Sequence, residues 1–142
     1  MNVYIAYQSK YGNGKKCIEH LKTIIIKKGH NAEAASIMEI EPSSLPKADF
    51  YIFSAPTHVG GPPRKMKKFL KKINIRQDSK YALITTCLDT KTRTLEIMED
   101  ILKHKNISRF SEGVKIKVDG MKGPLEVNYK DKINAFVEEN FS

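Results

Sequence analysis

The strongest constraint on the fold is an alternation of apolar runs with helical spacings that persists along the chain. Val3 to Tyr7 is almost continuously apolar, as expected of a strand buried on both faces of a parallel sheet. Cys17, Ile18, Leu21, Ile24 and Ile25 then recur at helical intervals until Gly29 stops them. A weaker strand follows near Ala32 to Ile37, and Pro42-Ser43-Ser44-Leu45-Pro46 reads as a loop or a short helical turn. Phe50 to Ser54 is a third strand, followed by a helix from about Pro63 to Ile73. Tyr81 to Thr86 is a fourth strand, followed by a helix buried through Leu95, Met98, Ile101 and Leu102. Val114, Ile116 and Val118 alternate with Lys115, Lys117 and Asp119, the pattern of a half-exposed edge strand, and a last helix packs through Ile133, Phe136 and Val137. The pattern predicts one domain over residues 1–142, a doubly wound three-layer α/β sandwich with five strands and four or five helices.

Two of the strand-to-helix turns are polar and rich in glycine. The first is Ser9-Lys10-Tyr11-Gly12-Asn13-Gly14, and the second is Ala55-Pro56-Thr57-His58-Val59-Gly60-Gly61-Pro62-Pro63. In an open parallel sheet such turns lie at the carboxyl ends of the strands, where ligands bind, and a helix N-terminus there offers free N–H groups to a phosphate. A Walker A loop would need glycine in place of Ser9 and a hydroxyl in place of Lys16, so that motif fails at two positions. A dinucleotide fingerprint reads at Gly12 and Gly14 but meets Cys17 where its third glycine should stand. What remains is a short loop able to hold a terminal phosphate through the Ser9 hydroxyl and successive amides, or a turn that uses glycine only for its geometry.

Composition narrows the class further. A chain of 142 residues, 40% hydrophobic and 29% charged, is long enough to bury a core without disulfides or a structural metal. No segment approaches the roughly 18 apolar residues of a membrane span, and the start runs directly into a strand, so a cytoplasmic protein is expected. Cys17 and Cys87 suggest neither a disulfide framework nor a zinc site, and the four histidines are too scattered for a metal. Much of the net charge of +9 comes from scattered lysines, and the densest run is Arg64, Lys65, Lys67, Lys68, Lys71, Lys72 and Arg76, around the buried-face set Met66, Phe69, Leu70 and Ile73. This run reads either as a solvated helix surface or as a docking patch beside the ligand site. No basic motif interleaved with aromatic residues supports nucleic-acid binding.

Tyr7 to Gly14 resembles the phosphate loop of flavodoxins, and Ser54 to Pro63 resembles their second flavin loop with the helix that follows. Gly120-Met121-Lys122-Gly123-Pro124-Leu125-Glu126 is similar to a segment of small flavodoxin-like proteins. The similarity spans essentially the whole chain. It implies strand order 2-1-3-4-5, and an uninterrupted fifth strand from Val114 to Val118 would place the chain with short members of the family. It further implies noncovalent FMN, with phosphate on Ser9, Lys10, Tyr11, Gly12, Asn13 and Gly14. The isoalloxazine would lie between Pro56, Thr57, His58, Val59, Gly60 and Gly61 on one side and Thr86, Cys87, Leu88 and Asp89 on the other. His58 or Val59 occupies the place where an aromatic residue often meets the flavin, and no aromatic residue follows strand four. A glycine peptide can rotate to present a carbonyl to a reduced flavin, because no Cβ opposes it, and Gly60 and Gly61 are placed for this.

The leading expectation is therefore an FMN electron carrier shuttling single electrons between proteins, with no side chain making or breaking bonds. Its partners would be acidic redox proteins, ferredoxin-like or reductases, meeting the basic surface near Arg64, Lys65 and Lys68. The alternatives are a flavin-dependent reductase of the NAD(P)H and quinone type, and a flavodoxin-like domain that no longer binds FMN tightly.

Overall fold

The computed structural model describes residues 1–141. Six strands and four α-helices alternate: β1 (Asn2–Tyr7), α1 (Asn13–Lys27), β2 (Asn31–Ser36), β3 (Phe50–Pro56), α2 (Arg64–Lys72), β4 (Lys80–Cys87), α3 (Thr94–Lys103), β5 (Ser108–Arg109), β6 (Val114–Lys117) and α4 (Tyr129–Phe141). A single 3-10 turn at Pro42–Ser44 precedes β3. The sheet is parallel throughout, in the order β2-β1-β3-β4, with β5 and β6 sharing the far edge of β4.

Successive side chains of a strand point to opposite faces, so a strand covered on both sides needs apolar residues at every position. In β1, Val3 and Ile5 join the core under α1 and α4, whereas Tyr4 and Ala6 join the core under α2 and α3. Helix α1 buries Cys17, Ile18, Leu21 and Ile25, and α4 adds Ile133, Phe136 and Val137 to the same layer. On the opposite face α2 contributes Met66, Phe69 and Leu70, and α3 contributes Leu95, Met98 and Leu102. The basic residues of α2 consequently face outward, and Arg64, Lys65, Lys68, Lys71 and Lys72 are exposed.

The far edge is more divided than the sequence pattern suggests. Val114–Lys117 runs unbroken beside Ile84–Cys87, and the Val118 amide extends it with a bond to the Cys87 carbonyl at 2.8 Å. Ahead of it, a separate two-residue strand pairs Ser108 and Arg109 with Lys80 and Tyr81. The chain returns to β4 at Gly113, whose φ is +85° and whose Cα lies so close to β4 that an added Cβ would stand 2.5 Å from the Leu83 carbonyl oxygen. Only glycine fits there.

Candidate functional site

The register of the sheet sets the two glycine-bearing turns side by side. Tyr7 at the end of β1 pairs with Ser54 of β3, and Pro56 at the end of β3 pairs with Thr86 of β4. The chain leaves β1 toward β2 on one side and reaches β3 on the other, which makes this the switch point where open α/β sheets bind ligands. A cleft of about 360 Å³ opens there. Ser9, Lys10, Tyr11, Asn13 and Gly14 line it from the first loop, and Pro56, Thr57, His58 and Val59 from the second. Thr86, Cys87 and Leu88 line it from the end of β4. Gly12, Gly60, Gly61 and Asp89 belong to the same turns but do not face the cleft.

The first loop leaves backbone donors available at the start of α1. Gly12 takes a left-handed φ of +90° just before α1 and has no side chain to cap the helix. The first-turn amides therefore keep donors to offer, apart from those of Lys15, bonded to Ser9 Oγ at 3.2 Å, and Lys16, bonded to the Gly12 carbonyl at 3.0 Å. Lys10 Nζ lies 5.4 Å from the centre of the Tyr11 ring, and Lys122 Nζ lies 6.0 Å from it.

The second loop is a tight turn held at both ends. The His58 amide donates to the Gly61 carbonyl at 2.7 Å, and the Gly61 amide returns a bond to His58 at 3.2 Å. Val59 and Gly60 between them have φ of 49° and 81°, which makes the turn type I′. Gly61 is buried with Ile97 against it, so of the two glycines only Gly60 stands at the exposed centre of the turn. Rotating the Val59–Gly60 peptide would convert the turn to type II′, whose first central position belongs to glycine. The Val59 Cβ opposes that rotation.

A cluster of hydroxyls fixes this loop from below. Thr57 Oγ1 lies 3.0 Å from Thr85 Oγ1 and 2.7 Å from Thr94 Oγ1, while Thr92 Oγ1 lies 2.9 Å from that of Thr94. The Thr57 amide also donates to the Thr86 carbonyl at 2.8 Å. Thr57 thus spends its hydroxyl on β4 and α3, and acts as an anchor of the cleft wall. Thr92 and Thr94 were not singled out from the sequence; the signal available was five threonines between positions 85 and 94.

A fourth wall comes from the segment after β6. Val118 and Leu125 form an antiparallel bridge, and the Asp119 amide bonds the Pro124 carbonyl at 3.0 Å, which closes a hairpin over residues 118–125. Its Val118 and Met121 line the cleft, two residues absent from the expected set. Gly123, with φ of +101°, packs so tightly on the first loop that a Cβ there would stand 2.7 Å from Asn13 Oδ1. The glycines of the Gly120–Glu126 segment were the visible sign of this approach. Glu126 ties the hairpin base: its amide bonds the Lys117 carbonyl at 2.9 Å, and its carboxylate accepts from the Lys117 amide and from Lys132 Nζ, the latter at 2.9 Å.

The Flavodoxin domain family model matches residues 4–113. The chain belongs to the flavodoxin family. Comparison with the curated proteins finds no match. Among solved structures, oxidised Flavodoxin 1 from Bacillus cereus is similar with a TM-score of 0.81 at 22% identity, covering 98% of this chain and 96% of that one. The Streptococcus pneumoniae TIGR4 flavodoxin gives 0.80 at 17% identity, covering 98% and 97%. A Fusobacterium nucleatum flavodoxin bound to flavin mononucleotide gives 0.70 at 11% identity, covering 97% and 95%.

The two thiols of this flavodoxin differ in position. Cys17 is fully buried beneath α1, and burial, reinforced by the Glu126 charge, pushes its pKa to about 12. Cys87 faces the cleft with Sγ 3.8 Å from the Ile116 carbonyl oxygen, and burial raises it against the opposing pull of Lys115 and Lys132. Both are protonated thiols at neutral pH. Among the described residues no helix is long and apolar enough to cross a membrane.

Proposed function

We propose that this flavodoxin binds FMN without a covalent bond and carries single electrons between redox proteins in the cytoplasm. The observation that carries this reading is the polarity of the cleft. One set of groups is the uncapped helix start and the Ser9 hydroxyl, and the other is the mainly apolar lining of Val59, Cys87, Leu88, Val118 and Met121. A phosphate suits the first, because backbone donors and the helix dipole favour an anion there. A flat, largely apolar ring system suits the second, and about 360 Å³ falls within the usual range of small-molecule sites.

Bound flavin would supply the centre that gains and loses electrons. The chain's own residues have other tasks. The first loop would hold the phosphate, the threonine cluster would keep the second loop against β4, and the hairpin wall would keep water from the inner part of the cleft. The partner we propose is an acidic redox protein, ferredoxin-like or a reductase, meeting the exposed cations near Arg64, Lys65 and Lys68. None of these three forms an ion pair among the described residues.

The test is titration of FMN fluorescence with the purified apoprotein. Quenching that saturates at one FMN per chain is expected, with riboflavin, which lacks the phosphate, binding more weakly. No quenching at micromolar protein, or equal affinity for the two flavins, would overturn the reading.

A further inference from the structure

The segment between β4 and α3 starts in the cleft wall at Leu88 and runs to Arg93 with no strand or helix of its own. Leu88, Asp89, Thr90, Lys91 and Arg93 are exposed, so buried side chains do little to hold it. A loop of this kind keeps one conformation only where its backbone groups are tied down. Two of its bonds are internal: the Lys91 amide donates to Asp89 Oδ1 at 2.9 Å, and the Thr92 amide donates to the Asp89 carbonyl at 3.1 Å. They curl the loop without fastening it to the rest of the molecule.

The fastening comes from the edge strand. Lys115 of β6 pairs with Thr85 of β4, and its side chain reaches the loop, where Nζ donates to the Thr90 carbonyl at 2.9 Å and to the Thr92 carbonyl at 3.0 Å. The side chain is half-buried and forms no ion pair among the described residues. Bonds from an ammonium to a carbonyl are charge-assisted and about twice as strong as neutral ones. Thr92, gripped here at its carbonyl, is bonded through its hydroxyl to that of Thr94 at 2.9 Å and to that of Thr57 at 3.4 Å. Lys115 thus stands outside the cleft yet is connected to two of its walls, the one at Leu88 and the one at Thr57.

We infer that Lys115 is a positioning residue of the cleft: from the edge strand it holds the loop after β4 in the conformation that keeps Leu88 and Thr57 in the walls of the ligand site. Its charge is felt at the same place, since Lys115 and Lys132 together oppose the rise that burial gives to the pKa of Cys87, a lining residue. In the sequence Lys115 alternates with apolar residues as a solvent-facing position would, which conceals this role. The inference rests on the FMN reading only for the choice of ligand.

The experiment measures amide hydrogen exchange of the full chain without FMN, and FMN affinity by fluorescence, for the wild type, Lys115→Met, Lys115→Gln, Lys115→Arg and Lys91→Met. In Lys115→Met and Lys115→Gln the amides of Thr57, Lys91 and Thr92 should exchange about tenfold faster, and Kd for FMN should rise about tenfold. Lys115→Arg keeps charge and donors and should return both to within about threefold of the wild type. Lys91→Met removes a cation from the loop but none of the bonds described, and should change neither. Unaltered exchange in the loop would overturn the inference, and so would an arginine variant no better than methionine. Equal acceleration of core amides such as Ile5 and Ile52 would overturn it by making Lys115 a general stabiliser. Faster loop exchange with undiminished FMN affinity would do so as well. A wild type that binds no FMN defeats the FMN reading alone, and exchange at Thr57, Lys91 and Thr92 then decides the role of Lys115.

Discussion

Val59 has a left-handed backbone although it carries a β-branched side chain, a combination that costs about 1–2 kcal/mol. A type I′ turn prefers asparagine before glycine, because asparagine tolerates positive φ. Val59→Asn should therefore stabilise the protein by about 1 kcal/mol, seen as a higher urea midpoint with an unchanged slope. The side chain is fully exposed, so no core contact offsets the gain. An unchanged or lower midpoint would mean that the turn is not held in this conformation.

At the scale of elements, the hairpin over residues 118–125 is fastened mainly through Glu126. Burial works to raise the pKa of this carboxyl, but the Lys132 ammonium and the Lys117 amide outweigh it and hold the group below the ordinary glutamate value of 4.5. A folded-state pKa below the unfolded one contributes stability that is complete above the unfolded value and lost as pH falls through the folded one. Glu126→Gln should cost about 1–2 kcal/mol at pH 7, since a neutral amide replaces a charged acceptor in a largely buried pair. The difference should shrink as pH falls through the folded-state value, which lies below 4.5. Chemical denaturation across that range checks both statements, and a constant difference from pH 7 to pH 3 would remove Glu126 from this role.

The architecture of the whole molecule was legible in the sequence because both faces of the sheet are covered. Central strands such as β1 and β4 must then carry apolar residues on both faces, and their helices must show one apolar stripe. The two loops of the cleft were legible for a related reason: each sits between such a strand and such a helix. β5 was not, because Ser108 and Arg109 carry no apolar signal and pair only through their backbone. Met121 and Val118 were missed because a hairpin's closure onto a loop a hundred residues earlier is set by three-dimensional packing at Gly123 and Asn13. The threonine cluster was missed because its hydroxyls meet only once β3, β4 and α3 are assembled. Net charge acts on this same scale. With +9 spread over a small surface, association with a strongly acidic redox protein should slow steeply as ionic strength rises and the Debye length shrinks to about 8 Å at 0.15 M. Stopped-flow rates indifferent to salt would exclude an acidic partner.

The hairpin after β6 also bears on how the protein is made. Its Val118 and Met121 close the fourth side of a cleft whose first residue is Ser9, so the opening is bounded by groups from nearly both ends of the chain. A nascent polypeptide that has emerged from the ribosome only as far as β4 already holds both glycine turns, yet has no hairpin to cover them. Closure of the cleft therefore belongs to the last stage of synthesis, after residue 125 is free to pair with Val118.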